Sequence, residues 1–361
     1  MICVRRRKLA SEDVFLPDKY KTEVRNSFAV LSLNPGVDRI IELHSALEPG
    51  KLNRASATYL HPGSKGANTA TLLSRLGNEV EYYSFSGGVY GDLCEKLIAA
   101  EGIRSYYTEA ACGLRENVKV IDGGGVCTEL NSRGGPVSQS ERDALVSALL
   151  ETRAGVVCLC GSIPQGVEKG VYNFLIKKLH EKGKKCVLDC DGEAMQRGIE
   201  AFPDIIKPNL REAEELFIAS GLKIGSKRQI IPVENPWEEA EKPLWKIPDV
   251  VRRAADICGE ISDFFSVRVL CTLGESGALS AVPDEKEVLF CPAPRVNLRG
   301  FSGAGDSFLA AYVSGFFSES YEADEKSALR FAVAAGSAKV MLEGSRLPDR
   351  NDIEKVLGNL K

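Results

Sequence analysis

The sequence predicts an α/β fold: a mainly parallel central sheet covered by helices on both faces, with a small antiparallel β lid beside it. Three observations predict it. Short apolar runs of strand length alternate with amphipathic runs of helix length along most of the chain. Some of the strand-length runs are apolar throughout, as at Val156–Cys160, which suits a strand buried on both faces. Two other stretches alternate residue by residue, which suits a half-buried sheet.

In chain order, Ser27–Leu33 is a short apolar strand closed by the turn residues Asn34-Pro35-Gly36. Arg54–Tyr59 alternates, with Ala55, Ala57 and Tyr59 on one face and Arg54, Ser56 and Thr58 on the other. Ala67–Leu76 is helical, with Leu72, Leu73 and Leu76 on one face and Gly77 as its stop. Val80–Ser86 is a strand and Asp92–Ala100 a helix. Asn117–Ile121 and Val126–Asn131 flank the turn at Asp122–Gly125, so the lid strands fall within about 39–61 and 105–133. Gly155–Cys160, Cys186–Asp189, Ile205–Lys207 and Val267–Thr272 are strands, with helices at Val171–Lys182 and from Leu210. Asp306–Phe317 and Lys326–Leu342 are helices. Residues 1–26 are charged and without period, and read as an extension outside one domain spanning 27–361. Residues 223–248 hold four prolines and both tryptophans, and read as a surface insertion loop.

Composition excludes several classes. The 361 residues are 44% apolar and 27% charged, the balance of a globular enzyme-sized protein. A net charge of −4 argues against nucleic acid or an anionic membrane as the main partner. No apolar run approaches the roughly 20 residues that span a bilayer. Most of the eleven cysteines sit in apolar strand-like runs (Cys158, Cys160, Cys186, Cys271), where a free thiol is a small hydrophobe. There is no Cys-x-x-Cys pair and there are only three histidines, so zinc-ligand spacing is absent. No apolar core follows the basic run Arg5–Lys8, as a signal peptide would require. The expectation is a reduced, cytoplasmic protein.

The strongest local signal is Ser302-Gly-Ala-Gly-Asp-Ser-Phe308, just before a helix. Glycines there let backbone N–H groups turn toward a ligand, and the helix start adds partial positive charge. A transferring phosphoryl group would be stabilised by Gly303, Ala304 and Gly305, and Asp306 could take a proton from an attacking hydroxyl. Alone, Gly-x-Gly-Asp often marks nothing more than a turn with an Asp cap.

It does not stand alone. Asn34-Pro-Gly-Val-Asp38, Pro62-Gly-Ser-Lys-Gly-Ala-Asn68, Gly161–Gly166, Lys207-Pro-Asn-Leu-Arg-Glu212 and Thr272-Leu-Gly-Glu-Ser-Gly277 precede it in order. Together with Ala334–Ala338 and Gly344–Leu347, they resemble the PfkB (ribokinase-like) sugar kinases over about residues 28–355. Within that family the pattern is similar to the phosphosugar branch of 1-phosphofructokinases and tagatose-6-phosphate kinases. The resemblance implies a ribokinase-like three-layer αβα fold, ATP and Mg2+ as cofactors, a small sugar phosphate as partner, and a homodimer through the β lid. It implies that Asp306 is the catalytic base and that Gly303, Ala304 and Gly305 form the anion hole. On the sugar side it implies Asp38, Gly63, Lys65, Gly66 and Asn68. On the nucleotide side it implies Lys207, Asn209, Glu212, Thr272, Gly274, Ser276 and Gly277, with Glu212 organising magnesium through water. Without it, Asn209 and Glu212 would read simply as a helix capping box.

The phosphosugar reading rests on Lys51 in Gly50–Asn53 and on Arg115 in Arg115-Glu-Asn117, where similar kinases hold the substrate's existing phosphate. With Lys65, these residues make an expected cation cluster for a dianion. Two departures bear on the substrate. Ser64 stands where the family has glycine, and would be strained if it needed positive φ. Asp189-Cys-Asp191-Gly192 adds a carboxylate to the family's Asp-x-Ser-Gly. The sequence thus points to a hexose-phosphate kinase preferring fructose 1-phosphate, with tagatose 6-phosphate or fructose 6-phosphate next. An unphosphorylated-sugar or nucleoside kinase is disfavoured by Lys51 and Arg115. A weakly catalytic sugar-binding regulator is disfavoured by the intact Gly303–Asp306.

Overall fold

The computed structural model describes residues 4–6, 27–234, 247–300, 302–317 and 324–359. Its strands are β1 (Val4–Arg6), β2 (Ser27–Ser32), β3 (Gly36–Leu43), β4 (Ala55–Pro62), β5 (Glu79–Ser86), β6 (Arg104–Glu109), β7 (Arg115–Ile121), β8 (Cys127–Asn131), β9 (Val156–Cys160), β10 (Lys185–Asp189), β11 (Ile205–Ile206), β12 (Gln229–Pro232), β13 (Arg268–Thr272), β14 (Ala278–Ala281) and β15 (Glu287–Cys291). Its helices are α1 (Lys65–Arg75), α2 (Gly88–Ala100), α3 (Gln139–Leu150), α4 (Val171–Glu181), α5 (Gly192–Ile199), α6 (Leu210–Ala219), α7 (Asp249–Phe265), α8 (Ala304–Phe316), α9 (Glu325–Met341) and α10 (Arg350–Asn359).

The main sheet runs β1-β6-β5-β2-β9-β10-β11-β13-β14-β15-β12. From β6 to β13 every pairing is parallel, because each connection is a helical crossover. The doubly apolar strands do what their composition requires. In β9, Val157 and Leu159 enter one core with α3 to α7, while Val156, Cys158 and Cys160 enter the other with α1, α8 and α9. All ten cysteines among the described residues are free thiols, eight of them buried. No described helix is long and apolar enough to cross a membrane.

Helix starts are fixed by side chains from the motif segments. Ser64 caps α1, its hydroxyl accepting from the Ala67 N–H at 3.0 Å. Its φ of −172° is extended backbone, so the strain expected of a serine at this position is not there. Asn209 and Glu212 form a reciprocal capping box on α6. Gly303 precedes α8 at φ 89°, a left-handed conformation that favours glycine.

The lid is a separate four-stranded sheet, β4-β3-β7-β8. Its outer pairings are antiparallel and its central pair, β3 with β7, is parallel. Asp38 lies beside His61 and Asn117, and two residues on, Ile40 lies beside Tyr59 and Lys119; these six share the face toward the main domain. Ile41, Leu60, Val118, Val120 and Leu130 share the opposite face. Of the residues read as one face of β4, Ala55 and Tyr59 remain exposed, Tyr59 to 46%, and Ala57 is half-buried.

Two segments differ from their sequence reading. The extension supplies β1, an antiparallel edge strand on β6. The insertion supplies β12, which pairs parallel with β15 at the other edge. Pro232 ends β12 and makes so short a strand hard to recognise. The rest of the insertion, 235–246 with both tryptophans, lies outside the described residues.

Candidate active site

The motif segments converge where a doubly wound sheet places its ligands, beyond the carboxyl ends of the parallel strands. Asn34 follows β2, Gly161 follows β9, Asp189 ends β10, Lys207 follows β11 and Thr272 ends β13. Two helix starts, those of α1 and α8, meet over these strand ends. They are tied by Asn68, whose side-chain amide donates to Asp306 Oδ2 at 2.7 Å.

Beneath them lies a buried charge cluster. Asp189 is fully buried, and its Oδ1 lies 3.1 Å from Lys65 Nζ and 3.3 Å from Lys207 Nζ. Burial would push this carboxyl up, but the two ammonium groups outweigh it and hold its pKa below the usual aspartate value. Lys65 is the counterpart: burial opposes its charge, yet Asp189, Glu212 and Asp306 raise its pKa. Asp306 goes the other way from Asp189. Burial, and then the Asp189 charge, raise its pKa above the usual value against the pull of Asn68, Lys65 and Lys207. Two carboxyl groups in one cleft are thus driven apart, a pattern that marks acid–base assignments. Lys207 Nζ also reaches the start of α8, 3.3 Å from where a Cβ on Gly305 would lie.

On the lid side, Asp38 Oδ1 accepts from Asn117 Nδ2 at 2.9 Å and Oδ2 from Lys119 Nζ at 2.6 Å. Lys119 also donates to Ser302 Oγ at 2.7 Å, linking the lid to the segment before α8. The Asp38–Lys119 pair is buried, with each side chain 9% exposed. Sequence reasoning missed Lys119, Ser302 and Asp189 as site residues. A signal for Lys119 existed: it stands two places after Asn117, on the same strand face. Gly63 is required by close approach, since a Cβ there would sit inside the Asp38 carboxylate. Gly66 likewise packs against Ser32, with its Cβ position 2.8 Å from that residue's Cβ.

The expected phosphate clamp is only partly assembled. Arg115 stands at the start of β7 beside Gly36, donating to the Ser132 carbonyl at 2.9 Å, and its buried Nε has no hydrogen-bond partner among the described residues. Burial lowers its pKa, with Asp38 opposing. Lys51 is not brought to it. That lysine lies in the β3–β4 loop, 71% exposed and paired with Glu48 at 2.8 Å. The same loop packs against the Asp122–Gly125 turn, at the end of the lid away from Asp38.

On the nucleotide side, Asn209 is bridged to Thr272, whose N–H donates to the Pro208 carbonyl at 3.1 Å. Gly274 and Ser276 form a 3-10 turn after β13, and Gly277 (φ 112°) leaves it against the Cys291 carbonyl, where no Cβ fits. No cluster of three metal-ligating side chains occurs among the described residues. Magnesium asks for few protein oxygens when phosphates and water supply the rest. Glu212, with Oε2 on the Asn209 N–H, fits that limited role.

A carboxylate with a raised pKa beside the glycine-rich start of α8, walled by lysines at the sheet's carboxyl ends, gathers the groups that moving an anionic group onto a hydroxyl would need. The chain belongs to the pfkB family of carbohydrate kinases, whose model matches residues 32–352. It is therefore a sugar kinase, and membership implies ATP as phosphoryl donor. The 1-phosphofructokinase of Bacillus subtilis is 28% identical over 314 residues, covering 87% of this chain and 92% of that protein. The ATP-dependent 6-phosphofructokinase isozyme 2 of Escherichia coli is 27% identical, covering 91% and 97%. The structure of Escherichia coli phosphofructokinase-2 with substrates and products superposes with a TM-score of 0.78, at 26% identity and 93% and 99% coverage.

Removing the cation from the buried Asp38–Lys119 pair strands a charge. Lys119→Met should therefore lower stability by about 3–5 kcal/mol, while Lys51→Ala at an exposed pair should stay within about 0.5 kcal/mol of wild type. Urea unfolding checks this; a Lys119→Met protein as stable as Lys51→Ala would contradict the lid geometry.

Proposed function

We propose that the protein is a cytoplasmic, ATP- and magnesium-dependent kinase that converts fructose 1-phosphate to fructose 1,6-bisphosphate. Asp306 accepts the proton of the sugar hydroxyl, whose oxygen attacks the γ-phosphorus as the bond to the β-phosphate oxygen breaks and ADP leaves. The N–H groups of Gly303–Gly305, with Lys207 beside them, steady the transferring group. Asp38 and Asn117 orient the sugar hydroxyls, and Gly63, Gly66 and Asn68 shape the floor beneath it. Lys65 and Asp189 set the field around the base. Lys207, Asn209, Thr272, Gly274, Ser276 and Gly277 line the nucleotide, and Glu212 would help to hold magnesium. Bound magnesium would neutralise charge on the phosphates.

The observation that carries the phosphosugar reading is Arg115. A guanidinium at the sugar end of the cleft, its pKa lowered by burial and its Nε without a partner among the described residues, is suited to an anionic substrate. The names of the B. subtilis and E. coli relatives support a fructose phosphate, and the second of them favours fructose 6-phosphate as the alternative. ADP release measured across fructose 1-phosphate, fructose 6-phosphate, tagatose 6-phosphate and free sugars tests the reading. Arg115→Ala should raise KM for the preferred sugar phosphate about 10- to 150-fold and leave KM for ATP unchanged, since a charge-assisted bond contributes roughly 1.5–3 kcal/mol. Equal turnover of free sugars, or an unmoved KM, contradicts it.

The outer face of the lid supports a homodimer. Ile41, Leu60, Val118, Val120 and Leu130 form an apolar stripe, and Leu130 is 62% exposed. A solved relative, E. coli phosphofructokinase-2, is described in a tetrameric form. Light scattering should give twice the chain mass at micromolar concentration, and Leu130→Glu should lower it to one; a monomeric, fully active wild type contradicts the assembly.

A further inference from the structure

We propose that Lys339 is a built-in cation that positions the phosphoryl-binding segment leading into α8. It stands in the last turn of α9 and is 1% exposed, among the largest fully buried side chains of the protein. Among the described residues no carboxylate lies within ion-pair distance of it. Its hydrogen-bond partner is a carbonyl oxygen instead. Nζ donates to the Gly344 carbonyl at 3.0 Å. It also lies 2.8 Å from where a Cβ on Gly300 would stand, with the Gly344 carbonyl 3.1 Å from that point and the Leu342 carbonyl closer still. Higher on the side chain, Cε is 3.5 Å from the Cβ position of Gly303. The lysine thus runs under both glycines that bracket Ser302. The same corner is closed by backbone, with the N–H groups of Arg299 and Gly300 donating to the Val340 carbonyl at 2.7 and 3.0 Å.

Neighbouring residues of α9 are small and apolar, including Ala334, Ala335 and Ala338, so an apolar residue would suit position 339 for packing alone. A buried ammonium without a carboxylate is costly unless its donors are used. Here the Gly344 carbonyl takes one donor and the Leu342 carbonyl lies beside the same point at Gly300, at the junction of α9 with the segment leading into α8, an environment that a monovalent cation would also take. The charged and titratable groups facing it are Asp306 on α8, Lys119 on β7 and His61 on β4. Burial and Lys119 push its pKa down to about 8, with Asp306 opposing. The ammonium form is therefore present at neutral pH and is lost as pH rises through that value.

The inference rests on reading Gly303–Gly305 as the phosphoryl-binding segment, and Asp306→Asn is run alongside to keep the two apart. Lys339→Met should lower kcat about tenfold or more while moving KM for the sugar phosphate less than about twofold, the signature of a group acting in the transition state. Lys339→Ala opens the carbonyl-lined space, and millimolar ammonium or potassium chloride should restore its kcat at least threefold, as roughly 0.7 kcal/mol of regained stabilisation. Wild-type kcat should fall as pH rises through about 8. Should both variants fail to fold, by far-ultraviolet circular dichroism, the wild-type profile alone decides. A Lys339→Met enzyme keeping more than half of wild-type kcat, or a wild-type kcat level across that pH range, overturns the proposal. If Asp306→Asn is itself fully active, the segment reading fails instead.

Discussion

Two carboxyl groups, Asp189 and Asp306, are buried in one field at the carboxyl end of the sheet, and the surrounding site is arranged to keep them different. Like charges at low dielectric repel strongly, so both cannot be ionised without compensation. Lys65 and Lys207 converge on Asp189 Oδ1 and hold that group charged. Asp306 receives a single amide from Asn68 and is left with a raised pKa. The same two lysines come from opposite sides of the cleft, one from the start of α1 and one from the end of β11. The pair that settles the electrostatics therefore also joins the start of α1 to the segment after β11.

The lid obeys a parallel rule. Asp38 is buried with Asn117 and Lys119 from the neighbouring strand, and Gly63 has no side chain because that carboxylate fills the space. Lys119 then reaches Ser302, so the lid and the segment before α8 are joined through one ammonium. Both centres use the same device, a carboxylate with lysine partners drawn from separate elements. Breaking either leaves an uncompensated charge rather than a lost surface contact.

Much of this was legible in the sequence. The apolar strands, their alternation with helices and the order of the motif segments lead to the parallel sheet and to Asp306, Asn68, Asp38, Lys65 and Lys207 in one cleft. What was not legible follows from the limits of one-dimensional pattern. Lys51 sits in a loop whose end of the lid depends on strand direction and register, which spacing does not reveal. Lys119 and Lys339 look like solvated charges until their neighbours are placed. Ser64 reads as a departure from a glycine motif, whereas its extended φ and its hydroxyl on Ala67 make it a helix cap. The edge strands β1 and β12 are too short, and too dependent on distant partners, to show a period of their own.

The measurement that tests the carboxylate pair most directly is the pH dependence of kcat/KM for the sugar phosphate in wild type and in Asp189→Asn. A base must be unprotonated to act, so with Asp306 in the proposed role of base, activity would be lost as pH falls through its raised pKa. Replacing Asp189 removes a like charge and releases two lysines beside that base, and both effects lower its pKa. Ionisation of the substrate is common to both proteins and cancels in the comparison. The account predicts that the acid limb moves to lower pH in Asp189→Asn. An acid limb that stays in place, or moves to higher pH, would contradict it.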